Sequence, residues 1–129
     1  MRTAKDLAQA SLNAVRAGNR NGWLDLFAED GVVQDPVGVS PLDPTGQGHR
    51  GKAAIAKFYD TVIAHNKGFE AKIDQAYLGG DECACVVAME ITSAEGKPMT
   101  VHAINIYKAT KDGKIASLRS FWDVAKLAG

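Results

Sequence analysis

Several features are scarce in this chain, and each scarcity excludes something. Net charge is absent, since 15 lysines and arginines balance 15 aspartates and glutamates. A balanced chain has no electrostatic case for binding nucleic acid or an anionic membrane surface. Long apolar runs are missing; none approaches the ~20 residues that span a bilayer. The opening Met1-Arg2-Thr3-Ala4-Lys5-Asp6 is polar and lacks the apolar centre of a signal peptide, so the expected location is the cytoplasm. Cysteine is confined to Cys83 and Cys85, two apart on a strand-like stretch. Their side chains share a face but are poorly placed to bridge each other, so they read as reduced core thiols. His49, His65 and His102 show no ligand spacing, and no metal site is expected. No glycine-rich phosphate loop and no nucleotide fingerprint occurs, so no cofactor is implied.

What remains is sufficient for a packed interior. Of 129 residues, 46% are hydrophobic and 23% charged, which fits one domain over residues 1–129 with its own core. Thr3 to Asp6 resembles a capping box with Asp in place of Glu. Leu7, Ala8, Ser11, Leu12 and Val15 then recur at helical spacing, predicting a helix from Ala4 to Ala17. A short helix carrying Trp23, Leu24 and Phe27 follows the Asn19-Arg20-Asn21 cap region. Val39 to Arg50 holds Pro41, Pro44, Gly46 and Gly48 and reads as a loop, either the rim of a pocket or an ordinary surface connection. Lys52 to Asn66 is the strongest helix, with Ile55, Phe58, Tyr59, Val62 and Ile63 on one apolar face.

From Phe69 the period changes to two. Phe69, Ala71 and Ile73 alternate with charged residues, and the phase then flips to Ala76 and Leu78, which predicts a bulge near Gln75. Strands are expected from Glu82 to Ser93, Pro98 to Thr110 and Ile115 to Trp122, separated by glycine turns. Val101, Ala103, Asn105 and Tyr107 share one phase, as do Leu118 and Trp122, whereas His102 points the other way. Helices gathered ahead of hairpins predict an α+β fold with helices on one face of a curled, mostly antiparallel sheet. Such a sheet can enclose an apolar pocket.

One short stretch suggests chemistry. In Gly31-Val32-Val33-Gln34-Asp35-Pro36-Val37-Gly38, Val33 and Asp35 point to the same side of a strand. Pro36 disfavours helical backbone at Asp35, and Gly38 allows the turn that follows. If the Val33 side is inward, a carboxyl stands at the lip of an apolar interior. Desolvation there makes it more basic, as a general base requires.

The segments Leu26 to Gly38, Gly51 to Tyr59 and Gly113 to Trp122 resemble the ketosteroid isomerase branch of the nuclear-transport-factor-2-like superfamily, which also holds SnoaL-type cyclases and limonene epoxide hydrolases. The resemblance covers nearly the whole chain. It implies a conical α+β roll, typically a homodimer, whose open end admits an apolar, steroid-like ligand. Asp35 matches the family's general base, which takes a proton from the carbon next to a ketone and returns it two carbons away. Asn105 falls where the family places a protonated aspartic acid in the oxyanion hole, and its amide can donate at any pH. Ser11 stands where the family carries a first-helix tyrosine, and that helix has no tyrosine. Tyr59 matches a supporting tyrosine able to act through the vacated space. Trp122 and Phe27 match wall positions, and the inward phases add Val33, Phe58, Val101 and Leu118.

The function implied is a cofactor-independent, steroid delta-isomerase-like enzyme with an altered oxyanion hole. Asp35, Asn105 and Tyr59 would be its catalytic groups. Two alternatives stand beside it: a non-catalytic binding protein for a steroid-like ligand, and another SnoaL-type reaction on the same scaffold.

Overall fold

The computed structural model describes residues 2–127. Helix α1 (Ala4–Arg16) opens on the expected capping box: the Asp6 amide donates to Thr3 Oγ1 at 3.2 Å, and the Thr3 amide donates to Asp6 Oδ2 at 2.9 Å. These bonds hold the Asp6 carboxyl below its ordinary range. Leu7, Ala8, Ser11 and Leu12 form the buried stripe of α1. Helix α2 (Arg20–Asp25) starts at an Asn19 cap and buries Trp23. Helix α3 (Lys52–Phe58) runs into a π-helical turn, Tyr59–Ile63, where the sequence pattern predicts unbroken α-helix to Asn66. Within that turn the Thr61 hydroxyl donates back to the Lys57 carbonyl at 2.9 Å, a side-chain competitor for the main-chain ladder. Arg20 pairs with Asp60 at 2.7 Å and ties α2 to the π turn.

Six strands form one sheet in the order β2-β1-β6-β5-β4-β3. They are β1 (Phe27–Gln34), β2 (His49–Arg50), β3 (Gly68–Gly79), β4 (Glu82–Thr92), β5 (Pro98–Ala109) and β6 (Ile115–Phe121). The register of β3 on β4 shifts between Ile73 and Gln75, at the expected bulge. The β4–β5 ladder is continuous, and β5 meets β6 with Asn105 opposite Ser120 and Tyr107 opposite Leu118. A parallel pairing of β1 with β6, Val33 beside Leu118, was not legible in the sequence. It inserts the last strand between the first and the fifth.

Helix α1 lies on one face of the sheet, against β3, β4 and β5. The core between them contains Leu7, Trp23, Phe27, Phe58, Val87 and Ile115. Burying each such large side chain contributes roughly 1.5–3 kcal/mol. Cys83 and Cys85 are buried and unbridged, with their sulfurs 3.6 Å apart. Burial, with the Cys83 sulfur alongside, pushes the Cys85 thiol up to about 12, so it stays protonated. The opposite face of the sheet exposes His102 and an apolar row of Val86, Ile104 and Phe121, which the ladders place side by side. Among the described residues no helix is long and apolar enough to cross a membrane.

Candidate functional site

Between the helices and the concave sheet lies a cavity of about 250 Å³ that opens to solvent on one side. A single water needs only roughly 10–15 Å³, so the space is sized for a small organic molecule. Leu12 and Val15 of α1, Phe58 of α3, Val62 and Ile63 of the π turn, and Met89, Val101 and Leu118 of the sheet supply apolar wall. The loop over residues 39–48, ahead of β2, contributes Leu42 to the cavity lining. Asp43 holds that loop together, accepting from the Gly48 amide at 2.8 Å. The polar groups on the wall are Ser11, Asp35, Asn66, Asn105, Tyr107 and Ser120, with the indoles of Trp23 and Trp122.

Asp35 follows the end of β1, and Gly38 then turns the chain at φ 99°. The Val37 amide donates to the Ser120 carbonyl at 2.9 Å, which fastens this corner to β6. Trp122 Nε1 donates to Asp35 Oδ1 at 2.6 Å, a short hydrogen bond to the carboxyl. Asp35 is half-buried and lines the cavity. Burial raises its pKa, and the bond from Trp122, the nearby Ser120 hydroxyl and the His49 ring oppose that rise without cancelling it. The result is a carboxyl more basic than an ordinary aspartate, held in one orientation. The His49 ring packs against Phe58 at 4.8 Å, and its Nε2 is buried without a partner among the described residues.

Asn105 is 4% exposed, and the Ser120 hydroxyl donates to its Oδ1 at 2.5 Å. Ser120 has one proton to give, and the short bond directs it to Asn105. With Oδ1 satisfied, the Asn105 NH₂ is the end left to donate into the cavity. A buried amide so fixed is a pre-set donor for an oxygen that gains negative charge.

Ser11 is 2% exposed and accepts from Trp23 Nε1 at 3.0 Å. The Tyr107 hydroxyl approaches the same oxygen at 3.5 Å. Burial raises the Tyr107 phenol well above its usual range, against hydrogen bonding from Ser11 and Asn105. It therefore remains protonated, and a donor, throughout the neutral range.

Of the residues expected at the site, Ser11, Asp35, Phe58, Asn105, Val101, Leu118 and Trp122 reach the cavity. Tyr59, Phe27 and Val33 do not; they form the layer behind its wall. Tyr59 and Phe27 pack on the indole of Trp23, at 5.5 and 4.7 Å between ring centroids, and Trp23 takes the wall position in front of them. Val33 is fully buried beside Leu118 in the β1–β6 ladder, and Leu118 faces the cavity. Tyr107, Ser120 and Trp23 were missed as site residues. A signal existed for the first two: Tyr107 shares the phase of Asn105, and Ser120 lies between Leu118 and Trp122 in the inward phase. No group of three His, Cys, Asp or Glu side chains able to hold a metal ion occurs among the described residues.

Comparison with known proteins agrees with this fold. The SnoaL-like domain family profile matches residues 8–118. A steroid Δ-isomerase of Nocardioides simplex is 30% identical over 111 residues, 86% of this chain and 82% of that protein. The crystal structure of a Δ5-3-ketosteroid isomerase from Mycobacterium sp. superposes with a TM-score of 0.89 at 35% identity, over 97% of this chain and 96% of the other. A Mycobacterium tuberculosis protein solved in complex with estradiol-17β-hemisuccinate does so with a TM-score of 0.89 at 31% identity, over 97% of both chains. Because the family profile and the similarity to isomerases both extend over most of its length, the chain belongs to the SnoaL-like domain family, in its ketosteroid isomerase-like branch.

Proposed function

We propose that this protein is a cofactor-independent isomerase that moves a carbon–carbon double bond into conjugation with a ketone on a steroid-like substrate. The observation that carries the reading is the pair formed by Asp35 and Asn105, a desolvated carboxyl and a fixed amide donor on one apolar cavity. With a β,γ-unsaturated ketone bound, ionised Asp35 takes a proton from the carbon between the carbonyl and the double bond. The electron pair moves onto the carbonyl oxygen, giving a dienolate that the Asn105 NH₂ stabilises. Asp35 then returns the proton to the far carbon of the former double bond, and the conjugated enone is released. Trp122 keeps the carboxyl aimed during both transfers, and the walls of Leu12, Phe58, Val101 and Leu118 exclude water. A positioned base contributes ~10²–10⁴-fold in such a step.

A β,γ-unsaturated 3-ketosteroid tests the reading, with the conjugated enone followed by ultraviolet absorbance and Asp35→Asn as control. Turnover well above the control is the expected result. Steroid binding without such turnover would leave a binding module and sink the isomerase. The homodimer implied by resemblance has support in the apolar row Val86, Ile104 and Phe121, which a second copy would cover. Ile104→Glu should then shift the species seen in sedimentation velocity toward monomer.

A further inference from the structure

We propose that Tyr107 supplies, from β5, the phenol donor that α1 lacks, with Ser11 and Trp23 positioning its hydroxyl toward the ligand oxygen; this rests on the isomerase reading. Tyr107 and Asn105 are two apart on β5, so their side chains leave the same face of the sheet. Both line the cavity, and the Tyr107 hydroxyl reaches to 3.5 Å from Ser11 Oγ. A carbonyl oxygen seated by the Asn105 amide would therefore have the phenol beside it.

Proton counting around Ser11 favours a donor role for Tyr107. The serine oxygen accepts from Trp23 Nε1 at 3.0 Å. The Tyr107 hydroxyl also donates to this oxygen, and when the phenol proton turns to a ligand oxygen the serine proton can be given to the Tyr107 oxygen in its place. The 3.5 Å separation between the two hydroxyls is long for an O–H···O bond, so little is lost when the phenol proton turns to a charged oxygen. Trp23, Ser11, Tyr107 and the enolate would form one chain of donors, each polarising the next. Ser11 is then small for a reason. A larger side chain at its place on α1 would occupy the space into which the phenol reaches from the opposite wall.

Tyr107→Phe removes the hydroxyl and keeps the ring. The expected result is a fall in kcat of about 10²–10³-fold, the cost of one oxyanion donor, with KM for an apolar substrate little changed. A second readout needs no turnover: affinity for a phenolic steroid, whose oxygen mimics the enolate, against the same steroid without that hydroxyl. The wild type should prefer the phenol, and Tyr107→Phe should lose the preference while its urea midpoint stays near that of the wild type. Trp23→Phe and Ser11→Ala should show a smaller loss of the same kind, because they act through Tyr107. A kcat within threefold of wild type together with an unchanged preference for the phenol overturns the assignment. If the wild type itself does not turn over, the isomerase reading fails, and the binding comparison alone decides whether Tyr107 donates to a ligand oxygen.

Discussion

Replacing Asp35 by asparagine exchanges a buried ionisable carboxyl for an amide of the same shape, and two quantities should move in opposite directions. Trp122 Nε1 can still donate to Oδ1 of the amide, so the corner after β1 keeps its geometry. Catalysis loses its base, and kcat should fall ~10²–10⁴-fold, about 2.7–5.4 kcal/mol in barrier height. Stability should rise. Burial raises the folded-state pKa of Asp35 above its unfolded value. Between those two values the native state binds a proton that the unfolded state does not, so stability falls as pH increases through the folded pKa. Above it the wild type carries a buried charge that the variant lacks, and each unit of upward shift costs about 1.36 kcal/mol. For a chain of this size that corresponds to roughly 3–5 °C in Tm per kcal/mol. Thermal unfolding of both proteins from acid to neutral pH gives the comparison. The variant should melt higher at neutral pH, and the gap should close toward acid. A gap that is absent, or equal at every pH, would show that the carboxyl is not desolvated. A stabilised variant with undiminished turnover would remove Asp35 from the chemistry.

Three further substitutions probe the surrounding parts. Trp122→Phe deletes a hydrogen bond that favours ionised Asp35, so its pKa should rise further. The acid limb of the kcat/KM profile should accordingly move to higher pH, and a limb left in place would deny that bond a role. Ser120→Ala leaves Asn105 Oδ1 unpaired in a buried position, which should cost about 1–3 kcal/mol of stability in urea titrations. It should also lower kcat more than it alters KM, since the amide is no longer fixed. Thr3→Ala breaks the α1 capping box far from the cavity and should cost about 1 kcal/mol with activity unchanged.

The parts of the fold readable in advance are those governed by near neighbours in the chain. Thr3 and Asp6 are three apart, and their cap depends on nothing else. The phase flip around Gln75 predicts a bulge because side-chain direction alternates residue by residue. The inward placement of Asn105 follows from the same alternation. The π turn at Tyr59–Ile63 was hidden because its apolar spacing serves an α-helix equally well.

At the site, the structure places Asp35, Asn105, Phe58 and Trp122 on the cavity and sets Tyr59 and Phe27 outside its lining. Tyr59 is an apolar-face residue at helical spacing, while Phe27, expected on the second helix, is the first residue of β1; Trp23 stands in front of both. Periodicity says which side of an element is inward. It does not say which inward residue is nearest an empty space, since that depends on the thickness of the layers packed behind.

Short-range pattern was enough for helix α1, the three long hairpin strands and their inward faces, because backbone geometry ties side-chain direction to near neighbours. The tertiary structure alone decided that β6 lies between β1 and β5. That strand order brings Trp122 to Asp35 and Ser120 to Asn105, and the docking of α1 on the sheet brings Ser11 to Tyr107. Pairing partners separated by some eighty residues are chosen by the packing of the whole sheet, and no local spacing encodes them.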